Sequence, residues 1–111
     1  MAGREHLGNF ELMVLLAILR AGANAYGVPV SREIEETTGR EVALGSVYAA
    51  LERLERKGFV TSALGDPTPE RGGRAKRYLR VTTKGLREIR AARRAFTALW
   101  SNVPELKGGL A

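Results

Sequence analysis

Four cations fall within seven residues in the run Arg71-Gly72-Gly73-Arg74-Ala75-Lys76-Arg77, with glycines between them. Guanidinium and ammonium groups at this density suit one task above others, which is to hold the phosphate oxygens of a polyanion. Glycine lets the backbone come close to a phosphate or a minor groove. The run is not a P-loop, because no G-x-x-x-x-G-K-[ST] pattern occurs. A nuclear-localisation signal fits poorly with a run that sits mid-chain in a hairpin. Residues 1–70 carry seven Lys/Arg against ten Asp/Glu, whereas residues 71–111 carry eleven against two, within a formal net charge of +6. A positive field so concentrated attracts nucleic acid. A solvated basic face that only keeps the chain in solution gives the same count.

Catalytic chemistry has little to work with. The absence of cysteine removes disulfides, thiolate metal sites and a cysteine nucleophile, and fits a reducing cytoplasm. The single histidine, His6, stands in an N-terminal segment unsuited to rigid placement. Glu33, Glu35 and Glu36 are expected on a wetted helix face. No nucleophile is paired with a base and no metal-ligand cluster appears, so neither an enzyme, a metal nor a cofactor is expected. The longest apolar run, residues 12–19, is too short to cross a bilayer, and the mixed charge of residues 1–6 does not read as a signal peptide.

The elements that must position the cations follow from periodicity. A first helix is expected over residues 9–21 with Asn9 as N-cap, apolar on nearly every side and so buried on nearly every side. One side would face its own core and the other a second subunit, with Phe10, Met13, Val14 and Ala17 at the interface. A second helix runs from Tyr26 or Gly27 to Thr38, with Pro29 in its first turn and Gly39 as its stop. A third runs from Leu44 or Gly45 to Lys57, with Val47, Leu51 and Leu54 inward. Residues 59–64 and 77–81 suit two strands of a hairpin around a turn-rich loop. Thr82 caps a last helix that Pro104 prevents from continuing. The expected fold is mainly α with a small β-hairpin wing: a winged helix-turn-helix over residues 1–82, a terminal helix over 83–104, and a disordered tail over 105–111.

The third helix has the makings of a major-groove reader. Opposite its core side lie Gly45, Ser46, Ala49, Glu52, Arg53 and Arg56. Small residues in its first half let the helix sit deep between phosphates, and a helix N-terminus favours anionic oxygen. Tyr48 lies on the flank, and Arg53 is long enough for a phosphate or a guanine edge. An amphipathic helix with a merely wetted face has the same pattern.

These pieces together resemble the PadR family of bacterial transcriptional regulators, over roughly residues 7–100. The resemblance rests on Leu7-Gly8 with Phe10-Glu11, Ala25-Tyr26-Gly27, Gly45-Ser46-Val47-Tyr48, Leu51-Glu52-Arg53-Leu54, Lys57-Gly58, and the wing from Glu70 to Arg77 followed by Tyr78. It implies a homodimer on a palindromic operator in double-stranded DNA, usually as a repressor at the nucleoid. It makes Ser46, Tyr48, Ala49 and Arg53 recognition-helix contacts, and Arg71, Gly72, Arg74 and Lys76 wing contacts beside Arg77. Tyr26 becomes a phosphate contact.

Ile89, Ala92, Phe96, Leu99 and Val103 recur at 3-4-3-4 spacing, with Leu86 and Trp100 beside them. Such a seam on one terminal helix calls for burial against a second copy. Trp100 has two readings: it fills the dimer core, or it forms a platform for a small aromatic effector, as in some short members of the family. Two other classes compete with the DNA regulator. An RNA-binding module lacks a platform motif beyond Tyr48 and Tyr78, and a purely protein-binding winged helix leaves the basic wing unexplained.

Overall fold

The computed structural model describes residues 7–65 and 76–107. Helix α1 spans Asn9–Ala21, α2 Gly27–Thr38, α3 Leu44–Arg56 and α4 Thr83–Trp100, with strands β1 Val60–Leu64 and β2 Arg77–Val81 between α3 and α4. Short 3-10 turns occupy Gly22–Asn24 and Pro104–Leu106. The N-cap of α1 is Gly8 rather than Asn9, and the Glu11 carboxylate reaches back to accept from the Gly8 N–H at 2.9 Å. Gly39, at φ 74°, ends α2 in the left-handed conformation expected of a C-terminal stop.

The first three helices enclose a core of Val14, Leu15, Ala17, Ile18, Ala25, Val30, Ile34, Val47, Ala50, Leu51, Leu54, Phe59 and Val60. Each fully buried large side chain, such as Phe59, Leu15 and Leu54, contributes about 1.5–3 kcal/mol relative to leaving it in water. Val14 and Ala17 are 0% and 3% exposed within the single chain. They have no surface left for a second subunit, which corrects their expected place at an interface. Phe10 and Met13 are half-buried on the same core. The side of α1 left open is instead Leu16 and Leu19.

The two strands pair antiparallel, Val60 opposite Val81 and Leu64 opposite Arg77. The sheet is tied to the helical part at two points. Leu79 N–H donates to the Ala25 carbonyl at 2.8 Å, so the edge of β2 is pinned to the approach of α2. Thr82 hydroxyl donates to the Gly58 carbonyl at 2.7 Å and accepts from Gly85 N–H at 3.0 Å, capping α4 while fastening it to the α3–β1 turn. A Cβ at Gly85 would collide with the Phe59 carbonyl oxygen, so the first turn of α4 lies against the backbone there.

Beyond that turn α4 is loosely covered. Leu86, Ile89 and Ala92 are half-buried, while Phe96, Leu99 and Trp100 are 53%, 75% and 59% exposed. The helix stops at Trp100, so Val103 is not on its seam as expected. Ser101 is extended and Asn102 takes φ 59° before Val103 extends again ahead of Pro104. Residues 105 and 106, expected in a disordered tail, form the second 3-10 turn together with Pro104. No single helix among the described residues is long and apolar enough to cross a membrane.

Candidate nucleic-acid interface

Helix α3 begins without a side-chain cap, and Gly45, Ser46, Tyr48 and Ala49 are exposed along its first half. Val47, Ala50, Leu51 and Leu54 turn inward, which leaves Ser46, Ala49 and Arg53 in one stripe on the outer face. Ser46 and Ala49 are small enough to let the helix backbone approach a groove floor. Tyr48 is 53% exposed and lies across Gly27, where any Cβ would collide with its ring and hydroxyl. Gly27 therefore sets how closely α3 and the start of α2 approach each other.

That contact continues towards the wing. Tyr26, the N-cap of α2, meets the ring of Tyr78 edge-on at 5.6 Å between centroids. The Lys76 ammonium stands 4.5 Å from the centre of the Tyr26 ring, a cation–π distance that holds the charge while leaving it able to serve an anion. Tyr48, Gly27, Tyr26, Tyr78 and Lys76 thus form one continuous patch from the reader helix to the base of the wing. Arg71, Gly72 and Arg74 lie outside the described residues.

Two of the expected contacts are tethered. Arg53 Nε donates to Glu11 Oε2 at 2.8 Å, and Lys57 Nζ donates to Glu11 Oε1 at 2.8 Å. Glu11 is the one buried charged residue of the described core, 4% exposed. Burial alone would push its carboxyl up, but donors from Lys57, the Gly8 backbone and Arg53, with the Lys57 charge, lower it from 4.5 to about 2. Arg77 Nη1 donates to Ser62 Oγ at 3.0 Å, and Ser62 Oγ donates to Glu55 Oε2 at 2.7 Å. In the DNA-free chain Arg77 is thereby linked through Ser62 to Glu55 near the C-terminal end of α3.

Two of the three acidic residues of α2, Glu33 and Glu35, are not simply wetted, whereas Glu36 is exposed as expected. Glu35 Oε2 accepts from Val42 N–H at 3.0 Å and so shapes the turn into α3. Glu33 pairs with Arg20 at 2.6 Å, and that hydrogen bond holds its carboxyl below the usual range. Reasoning from sequence missed Glu11, whose partners are 42 and 46 residues away. The only local signal was a glutamate in the first turn of an otherwise apolar helix.

Among the described residues no group of three or more His, Cys, Asp or Glu is placed to hold a metal ion. Residues 15–91 match the family described as "Transcriptional regulator PadR-like family". No curated protein sequence matches the chain. Among solved structures, a PadR family transcription regulator from hypervirulent Clostridium difficile is similar with a TM-score of 0.73 at 17% identity, covering 91% of this chain and 100% of that one. A PadR-like transcriptional regulator from Bacillus cereus gives 0.70 at 21%, covering 89% and 91%. One from Eggerthella lenta gives 0.68 at 24%, covering 86% and 81%. The fold is the winged helix of these regulators.

Proposed function

We propose, from the premise that this chain belongs to the PadR-like family of transcriptional regulators, that it is a homodimeric repressor acting on a palindromic operator. As a member of that family it is a DNA-binding regulator rather than an enzyme. The observation that carries the finer reading is the patch joining the small, exposed first half of α3 to Lys76 through three tyrosines. In this reading α3 enters the major groove with Ser46 and Ala49 against base edges and Tyr48 on a flank. Tyr26 and Lys76 hold phosphates beside the groove, Arg53 holds another, and Arg71, Gly72 and Arg74 extend the grip along the wing.

The second copy is called for by α4. Phe96, Leu99 and Trp100 are exposed on the second half of a helix held through its first half, and Leu16 and Leu19 of α1 are 42% and 46% exposed. Pairing α4, with Leu86, Ile89 and Ala92 completing the seam, across a two-fold axis against the Leu16–Leu19 ridge removes both apolar surfaces from water. It also sets two α3 helices for half-sites related by the same axis. Trp100 with Phe96 and Arg93 lines a shallow hollow, which supports a flat aromatic effector acting at the dimer seam in the cytoplasm. Fluorescence anisotropy with duplex DNA from upstream of its own gene, at two salt concentrations, tests the reading. Binding that survives unrelated competitor duplex and RNA and weakens steeply with salt is expected. Equal loss to every competitor contradicts it.

A further inference from the structure

Glu11 holds three donors from two helices. Its Oε1 takes the Gly8 N–H and the Lys57 ammonium, and its Oε2 takes Arg53 Nε. The Lys57 side chain is 21% exposed and that of Arg53 is 43% exposed, so the two cations are not equivalent. Lys57 sits inside, where its charge balances the carboxylate. Arg53 has its inner edge tied through Nε, and its two Nη groups remain as the outer donors of a planar fork. The fork stands one turn beyond Ala49, on the stripe that starts at Ser46.

We propose that Glu11 is a positioning residue for DNA binding, presenting Arg53 as a pre-set two-pronged donor to a single backbone phosphate. The proposal rests on α3 being the groove-facing helix. Arginine loses much rotamer freedom when it binds, and a carboxylate that already fixes Nε removes most of that loss in advance. The same tether withdraws Arg53 from reading base edges, so it positions the helix and carries no sequence information. Charge counting alone makes the opposite prediction for Glu11. Neutralising an acid beside DNA adds to the positive field and should tighten binding.

Anisotropy titrations of the full chain at two salt concentrations, on its preferred duplex and on unrelated duplex, separate the two accounts. Glu11→Gln and Arg53→Lys should each weaken binding about three- to tenfold on both duplexes, and the double variant should be no weaker than the stronger of the two single losses. Tighter binding by Glu11→Gln, fully additive losses, or a loss confined to the preferred duplex overturns the proposal. Arg53 lies half-exposed on the surface, so Arg53→Lys keeps the test valid should Glu11→Gln unfold. Nitrogen-15 NMR of the DNA-free chain adds a readout that global stability does not move. The Arg53 Nε–H should exchange slowly with solvent and lose that protection in Glu11→Gln, while the Arg20 Nε–H, tied to Glu33, keeps its own. Arg53 protection retained in the variant also overturns the proposal. A wild-type chain that binds no duplex removes the DNA reading and this phosphate contact together. A wild-type chain that binds while Glu11→Gln binds tighter removes the role of Glu11 alone.

Discussion

Residues 44–49 of α3 have no side-chain cap and expose Gly45, Ser46, Tyr48 and Ala49. Further along the same helix, Arg53 and Lys57 are fastened to Glu11, and Glu55 is joined through Ser62 to Arg77. One half is bare and the other is braced to α1 on one side and to the sheet on the other. A groove-reading surface needs small side chains and open backbone, which contribute little to holding a helix in place. The bracing of the second half supplies the rigidity that the first half lacks, so recognition and anchoring are divided along one helix.

Breaking the braced half should have the largest effect, and on stability. The Glu11 carboxyl is lowered from 4.5 to about 2 in the fold, so its ionised form stabilises the folded chain. That contribution is present in full above the unfolded value and is lost as pH falls from about 4.5 through about 2. Glu11→Ala should therefore lower stability by about 1–3 kcal/mol at neutral pH, and should flatten the acid limb of a denaturant-midpoint against pH curve. Urea melts across that pH range check both. Equal acid sensitivity in the variant would show that the brace is not carried by this carboxylate.

Crowding the bare half should act on DNA binding and leave the fold alone. Ala49→Glu places a carboxylate where phosphates approach and should weaken duplex binding by roughly tenfold to a hundredfold, with a melting temperature near that of the parent because the site is exposed. A variant that unfolds instead would place Ala49 in packing. Smaller still is the pair at the wing. Lys76→Ala should reduce the slope of log affinity against log salt by about one on any sequence, whereas Arg77→Ala should change it by less, since Arg77 is turned towards Ser62 and Glu55. Equal slopes for the two variants would mean that the tether opens on DNA.

The same division explains what could be read in the chain beforehand. The order of three helices, hairpin and helix follows from apolar spacing and glycine stops, and α2, β2 and the Thr82 cap lie where those signals place them. Helix α1 is apolar on too many sides for its own sequence to say which faces the core, so the pattern places Val14 and Ala17 at an interface they have no surface to join. The end of α4 was set by Pro104, although the chain leaves the helix at Ser101 through a left-handed Asn102. The bare half of α3 was legible because smallness is a property of the residues themselves. The bracing was not, because Glu11, Arg53 and Lys57 meet only after folding, and an isolated glutamate in a first turn reads as a helix-terminus charge.

The most direct test of the division is a backbone NMR titration of the full chain with its preferred duplex. Shift changes should concentrate at Gly45, Ser46, Tyr48, Ala49, Arg53, Tyr26, Lys76 and the wing residues Arg71, Gly72 and Arg74, with Lys57 and the residues around Glu11 moving little. Changes centred on α4, or spread evenly over both halves of α3, would contradict it.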